Sequence, residues 1–200
     1  MPNLFSSLWP GLLIWLLLYV SDYALTIACA RLYRSGVNEK LVIEGSFELN
    51  PYFQRDIDAL KVISPRFLAM LLITGLLLTL MWIMDSQSTP EFYEFVLGAM
   101  VLLEVAVHVR HIRNFFTFRM IGKSDCVRGR IEYSRPFSLR VSSTELFAFS
   151  GLFLILFAFT PSWFVLGGAA SCALAAIKHR RLAKRVPSKA PAAVQPQSTI

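Results

Sequence analysis

Residues 91–113 decide the fold, and they read EFYEFVLGAMVLLEVAVHVRHIR. The stretch is apolar enough to enter a lipid bilayer, yet it carries Glu104, His108 and His111. These side chains are spaced i, i+4 and i+7, so a helix places them on one face. Ionisable groups that face lipid are costly, so this face is expected to point into a bundle of helices.

The composition around this stretch is that of a membrane protein. Hydrophobic residues make up 55% of the 200 residues, charged residues make up only 16%, and the apolar residues occur in blocks. Blocks of this length are typical of transmembrane helices. We predict an all-α, polytopic membrane protein with about five transmembrane helices in one domain, residues 1–185, followed by a disordered tail, residues 186–200. The predicted spans are residues 12–33, 67–84, 92–112, 146–160 and 162–177.

The placement of positive charge predicts the topology. All twenty Lys and Arg residues lie in three segments, residues 31–66, 110–140 and 178–189. Five spans with the N-terminus outside and the C-terminus in the cytoplasm put all of them on one side, as the positive-inside rule requires. We therefore predict a multi-pass protein of the cell inner (plasma) membrane. Its basic cytoplasmic loops are expected to contact anionic lipid headgroups.

The last two spans permit two interpretations. One long kinked helix would carry the basic segment to the far side of the membrane. Two shorter helices with a turn at Thr160-Pro161-Ser162 return it to the cytoplasmic side, and this hairpin is favoured. Its first helix is expected to begin at a capping box that runs from Ser142 to Glu145. Small residues at 167–171 give the last helix a face for close packing.

The connection after the first span, residues 34–64, contains KLVIEGSFEL, which is compatible with a short hairpin. Asn50-Pro51 then predicts a helix start, with Asn as the N-cap and Pro at the first helical position. We expect a short amphipathic helix on the membrane surface. The residues that share its apolar face are Phe53, Ile57 and Leu60.

Tryptophans and cysteines add local predictions. Trp9 and Trp15 are expected near the outer membrane interface, where indole rings are common. Cys29 and Cys172 lie in apolar stretches and are expected to be buried. Cys126 lies in a basic loop and is expected to be a reduced thiol that faces the cytoplasm.

A candidate metal site follows from the ionisable residues of the predicted spans. Asp22, Glu104 and His108 lie in the cytoplasmic halves of spans that run in the same direction, and Glu48 lies in a loop long enough to fold back over them. Carboxylates and imidazoles suit Zn, Fe or Mn, so these four residues are the predicted ligands of a divalent metal. His111 is a weaker candidate.

Each candidate also has a purely structural interpretation. Glu104 and His108 are a possible i, i+4 pair that neutralises itself. Asp22 is a possible partner of Thr26 one turn later, and His111 is compatible with an interfacial position. The structural role expected of Glu145 is that of a helix cap, and Glu44 and Glu48 are expected to balance the basic charge of their loop.

A resemblance concerns the sequences DYALT at residues 22–26 and ELNP at residues 48–51. This part of the chain resembles a small prokaryotic membrane-domain family of unknown function, with the pattern Asp-x-x-x-Thr followed by Glu-x-Asn-Pro. The resemblance covers about the first third of the chain. It implies that Asp22, Thr26, Glu48 and Asn50 form a unit, and it implies no particular activity.

Three functions remain open at this stage. The first is a membrane enzyme or metal-binding protein that uses the predicted metal site. The second is a structural or accessory subunit that binds another membrane protein, and the third is a proton- or cation-coupled carrier that works as a homo-oligomer. The sequence contains no GxSxG, HExxH, P-loop or GxGxxG motif. It also has no soluble basic domain with interleaved aromatic residues, which argues against nucleic-acid binding.

The topology can be tested with reporters fused after residue 200 in a bacterial host. We expect a cytoplasm-active reporter such as green fluorescent protein to work there, and a periplasm-active reporter such as alkaline phosphatase to stay inactive, because the C-terminus follows the basic segment. The reverse pattern of activity would contradict the predicted orientation.

Overall fold

The computed structural model describes residues 7–85, 90–123 and 127–186, and these are mostly helical. An all-α fold was predicted, and this class is confirmed. The elements in chain order are α1 (Leu8–Leu32), a π-helical turn (Tyr33–Val37), α2 (Asn38–Lys40), β1 (Leu41–Ile43), α3 (Gln54–Asp58), α4 (Pro65–Asp85), α5 (Pro90–Lys123), β2 (Ile131–Tyr133), α6 (Arg135–Phe159) and α7 (Trp163–Arg185). The predicted tail, apart from Val186, and the loop thiol of Cys126 lie outside the described residues.

Within the described residues, four helices are long and apolar enough to cross a membrane, namely α1, α4, α5 and α6. Large apolar side chains cover the outer surface of the bundle: Leu72 on α4 is 72% exposed and Phe159 on α6 is 81% exposed. Such surface is unfavourable in water but suits lipid. Helix α7 is also packed in the bundle, but its second half is basic. The number of five spans therefore stays a prediction.

Helices α6 and α7 form a hairpin with its turn at Thr160-Pro161-Ser162, where the sequence indicated one. The two helices run antiparallel, because Ser143 Oγ donates to the carbonyl of Ala176 and Ser150 Oγ donates to the carbonyl of Ala169.

The start of α6 was predicted wrongly. The helix begins at Arg135 rather than at a capping box, because Ser134 is the N-cap and accepts a hydrogen bond from the backbone N–H of Phe137 at 3.4 Å. Pro136 follows in the first turn, where its missing N–H costs nothing. Ser142 therefore lies inside the helix, where its hydroxyl faces α7 instead of capping backbone N–H groups.

Glycines allow α5 and α7 to approach each other closely. A Cβ atom on Gly98 would lie 1.9 Å from the carbonyl oxygen of Phe164, and one on Gly167 would lie 1.9 Å from the carbonyl oxygen of Phe95. The backbones therefore touch at two points, which is how small residues bring membrane helices together. The predicted small face of α7 is the face that meets α5.

The other side of α5 packs against α1 and α4 through a cluster of buried apolar side chains. Trp15 is at the centre of this cluster, with only 2% of its surface exposed, so the prediction that it lies at the outer interface is wrong. Its ring stacks on Tyr19 and contacts α4 and α5 instead of headgroups. Cys29 and Cys172 are buried as expected.

The connection between α1 and α4 folds back onto the bundle. Gly36, with a φ of 122°, turns the chain after α1, and β1 then pairs with β2 in parallel, Val42 opposite Glu132. The proposed hairpin within KLVIEGSFEL is therefore wrong, because the partner of Leu41–Ile43 is about ninety residues away in the chain. A parallel pair needs such a long crossover.

The predicted amphipathic helix is shorter than expected and packs on protein. Helix α3 begins at Gln54, not at Pro51, because Asn50 closes a turn with its side chain on the N–H of Tyr52. Ile57 is only 1% exposed and packs on a cluster of aromatic and aliphatic side chains from α1 and α4. The members of this cluster are Tyr23, Ile27, Ala30 and Phe67, with Phe53 and Leu60 at its edge.

Replacing Gly167 by Ala should destabilise the bundle, because the added methyl group meets the backbone of α5. We expect a loss of roughly 1–3 kcal/mol, the usual cost of overpacking. Gly151→Ala on α6 is the matched control, since a Cβ there has no neighbour within 4 Å. Unfolding in detergent, followed by circular dichroism, measures both variants. Equal stability of Gly167→Ala and wild type would contradict the described contact.

Candidate metal centre

Helices α1 and α5 bring three predicted ligands together. Asp22 on α1 lies beside Glu104 and His108 on α5, and one potential ligand atom from each lies within 4.8 Å of the other two. Ligand atoms on opposite sides of a first-row metal ion are about 4 Å apart, since each bond is about 2.1 Å. A contraction of less than about 1 Å would therefore close this group around an ion.

Hydrogen bonds orient the imidazole of His108. Its Nδ1 lies 2.7 Å from the backbone carbonyl of Glu104, and because a carbonyl only accepts, Nδ1 carries the proton. Its Nε2 therefore carries the lone pair, and it lies 2.7 Å from the hydroxyl of Ser21. That hydroxyl also lies 3.0 Å from the carbonyl of Leu18, and its single proton cannot serve both acceptors. This arrangement is typical of metal-binding histidines, which donate their other N–H to an oxygen.

His111 lies one turn further along α5 and is not interfacial, since only 7% of its surface is exposed. Its Nε2 lies 3.4 Å from Asp22 Oδ1 and 3.2 Å from Thr26 Oγ1. Thr26 is thus a partner of His111 rather than of Asp22. His111 therefore lies beside the Asp22 carboxylate without forming a hydrogen bond to it.

Several buried polar atoms of this region lack a hydrogen-bond partner within the described part of the chain. They are Asp22 Oδ1, Glu104 Oε2 and His111 Nδ1. A buried polar atom without a partner costs about 1–3 kcal/mol, and a charged one costs more. Their concentration in one place is unusual for a structural network, and a bound cation would satisfy the two carboxylates.

A cavity of about 360 Å³ adjoins the cluster, and Asp22, Glu48 and Glu104 line it on one side. Glu48 thus lies on the same cavity as two of the predicted ligands, although it is not part of the three-residue cluster. The hydrogen bond from Asn50 N–H to Glu48 Oε1, 2.6 Å long, holds the carboxylate in place.

The loop that carries Glu48 is fixed by further polar contacts. Ser46 Oγ donates to Asp58 Oδ1 at 2.8 Å, and the guanidinium of Arg135 donates to the carbonyls of Ser46 and Leu49 at 3.2 and 3.4 Å. The backbone N–H of Arg135 donates to Glu44 Oε2 at 3.1 Å. Glu44 thus has a structural contact with the start of α6, and that its charge balances basic side chains stays a prediction.

The opposite side of the cavity is basic, and the sequence analysis missed it. Arg110 of α5 and Lys178 and His179 of α7 line this side. Arg110 donates to Ser142 Oγ, which lies 2.9 Å from His179 Nδ1. One signal for this side was present in the sequence. The chain has three histidines, and His179 was the one to which no role was assigned.

Glu145 does not belong to this site. It forms an ion pair with Arg113 instead of capping α6, because the helix begins eight residues earlier than the expected capping box implied.

Burial raises the pKa of Glu48 from 4.5 to about 7, although its bond to Asn50 opposes the shift. The folded protein then holds this proton more tightly than the unfolded chain, so Glu48 lowers stability as pH rises from about 4.5 to about 7. In chelator-treated protein, Glu48→Gln should be more stable than wild type by roughly 3 kcal/mol at pH 8 and equal to it near pH 4. Thermal unfolding across this pH range tests the prediction, with the exposed Glu39→Gln as control. A variant that follows wild type at every pH would contradict it.

No family model, curated protein or solved structure matches this chain. The resemblance of the first third of the chain to a membrane-domain family therefore stays a prediction. Its expected unit is compatible with the geometry, since Asp22, Thr26 and Glu48 line a second small cavity beside the larger one. Any function has to be argued from the residues of this region themselves.

Proposed function

We propose that this chain is a multi-pass inner-membrane protein that binds one divalent transition-metal ion near its cytoplasmic face. Asp22, Glu104 and His108 are the proposed ligands. The observation that carries the proposal is the convergence of these three groups from two helices, together with buried carboxylate oxygens that lack hydrogen-bond partners among the described residues.

A metal ion accounts for this chemistry better than a structural network does. Two carboxylates in a region of low polarity repel each other when ionised, and a divalent cation removes that repulsion. An imidazole with its lone pair on Nε2 favours Zn, Fe or Mn over Mg or Ca, which prefer oxygen ligands. Glu48 is the proposed additional ligand, because the loop holds it on the same cavity.

Three protein ligands leave coordination positions open toward the cavity, as in catalytic metal sites. A metal ion in such a site makes its bound water more acidic and so generates a nucleophile at neutral pH. If the protein is an enzyme, a hydrolytic reaction at the cavity is thus the reaction class that this ligand set favours.

The orientation and the lipid contacts are part of the same proposal. The distribution of the twenty Lys and Arg residues supports a cytoplasmic C-terminus, and it supports contact between the basic segments and anionic headgroups. An accessory subunit without chemistry and an oligomeric carrier are the alternatives, and the metal experiment below separates the first of these from the proposal.

The purified full-length protein should bind one equivalent of Mn²⁺ or Zn²⁺ after chelator treatment and reloading. Glu104→Gln keeps the shape of the side chain but removes its charge, so it should weaken metal binding by about 100-fold or more, as should His108→Gln. At a metal concentration of about 100 times Kd, wild type should gain about 2.7 kcal/mol of stability that the variants do not gain.

The matched control is Glu91→Gln, since Glu91 is an exposed carboxylate on the same helix. Elemental analysis and metal-dependent thermal unfolding measure binding, and helical content in detergent shows that each variant is folded. Wild-type protein that binds no metal, with Glu104→Gln and His108→Gln as stable as wild type, would leave the accessory role as the better explanation.

A further inference from the structure

We propose that the 360 Å³ cavity binds the phosphate group of a phosphomonoester, held between the metal ion and the side chain of Arg110. The part played by the metal rests on the proposed function. The part played by Arg110 rests on its hydrogen bond to Ser142 and on the contact of Ser142 with His179. None of the proposed metal ligands takes part in these two contacts.

Arg110 is a cation that the protein holds in place without neutralising it. Among the described residues no carboxylate lies within ion-pair distance of its guanidinium, and its hydrogen-bond partner is the hydroxyl of Ser142. It still lies close enough to Glu48 to act on the pKa of that carboxyl. A guanidinium fixed in this way can donate two parallel hydrogen bonds to one phosphate group.

Ser142 extends this arrangement to α7. Its oxygen accepts from Arg110 and lies 2.9 Å from His179 Nδ1, so the three side chains form one hydrogen-bonded chain. Lys178, the preceding residue, adds an exposed ammonium to the same side of the cavity.

The charge of the cavity makes anion binding dependent on the metal. Three carboxylates and two permanently basic side chains line it. A divalent ion adds two positive charges to this set and provides coordination positions, for which phosphate oxygens are suitable ligands. An anion is therefore attracted more strongly with the metal than without it.

Much of the remaining lining is apolar and favours an amphiphile. Leu103, Val107, Leu146 and Leu182 face the same space as the charged groups. Its volume lies at the small end of ligand pockets, enough for a phosphate group and the first part of an apolar tail. A phosphorylated lipid matches this combination, and a soluble phosphoester or free phosphate shares only its polar part.

A second basic groove serves as the internal comparison. Arg140, Arg180 and Lys184 line a space of about 330 Å³ between α6 and α7, and all three are exposed. No carboxylate lines this groove, so it should attract anionic headgroups whether or not metal is present. Metal-dependent binding therefore distinguishes the proposed phosphate site from general attraction to basic surface.

The test uses full-length protein in a nonionic detergent, reloaded with Mn²⁺, with inorganic phosphate and hexadecyl phosphate as probes. Isothermal titration calorimetry gives the affinity of each probe with and without the metal, and broadening of the ³¹P resonance by bound Mn²⁺ shows that the phosphate lies next to the ion. Protein that contains Mn²⁺ should bind hexadecyl phosphate, and chelator-treated protein should bind it at least roughly tenfold more weakly. Arg110→Gln should weaken binding by roughly tenfold or more, whereas Arg180→Gln should match wild type.

Each outcome shows whether the phosphate site alone or the metal centre as well has to be rejected. Protein that binds Mn²⁺ but shows no effect on either probe, or equal affinity in Arg110→Gln and wild type, overturns the phosphate site and leaves the metal centre intact. Protein that binds no Mn²⁺, by electron paramagnetic resonance, overturns the proposed function and this inference together. If Arg110→Gln does not fold, Lys178→Gln replaces it, because Lys178 is exposed, and a weaker affinity is again expected.

The two probes identify the source of the phosphate. An affinity for hexadecyl phosphate that is on the order of 100-fold higher than for inorganic phosphate supports a lipid ligand, since the alkyl chain then contributes apolar contacts. Equal affinities support a soluble phosphate compound and overturn the lipid assignment.

Discussion

Polar atoms within an apolar helical bundle need partners, and this requirement organises the structure. Ser143 and Ser150 meet it by donating to backbone carbonyls of α7. His108 meets it through a backbone carbonyl and a serine hydroxyl. In a few places within the described part of the chain, buried polar atoms lack a hydrogen-bond partner. One of these places holds two carboxylates and a histidine side by side. Because low polarity makes such a gap expensive, its position is better evidence for a ligand than the residue types alone.

Helix α5 connects this polar region to the rest of the fold. One of its faces carries Glu104 and His108 toward α1, and another meets α7 through the backbone contacts at Gly98 and Gly167. The close approach fixes the rotation of α5 about its axis, since the two contact points admit little sliding. Precise backbone packing at Gly98 and Gly167 thus keeps the ligand side chains of α5 in position.

The sequence could predict what depends on helical periodicity and local chemistry. The spacing of Glu104, His108 and His111 placed them on a common face, and the Thr160-Pro161-Ser162 turn was visible as a break between apolar stretches. It could not predict the pairing of β1 with β2, because a parallel pair joins distant segments and leaves no local signal. The start of α6 was missed because Ser142 and Glu145 have the spacing of a capping box, and only the packing on α7 shows that Ser142 faces inward. The basic side of the cavity was missed for a similar reason. Basic residues that flank a transmembrane helix suggest contact with lipid headgroups, and only the packing of α7 beside α5 shows that they line a cavity.

The contacts of Arg135 have a consequence for the order in which the protein is made. Its side chain and backbone hold Ser46, Leu49 and Glu44, all of which leave the ribosome about ninety residues earlier. Chains emerge from the N-terminus, so α1 and α5 can leave the ribosome before Arg135 does. The contacts that join this loop to Arg135 form only afterwards. During synthesis there is thus an interval in which the loop that carries Glu48 is held by its own contacts, such as that of Ser46 with Asp58, but not yet by the start of α6.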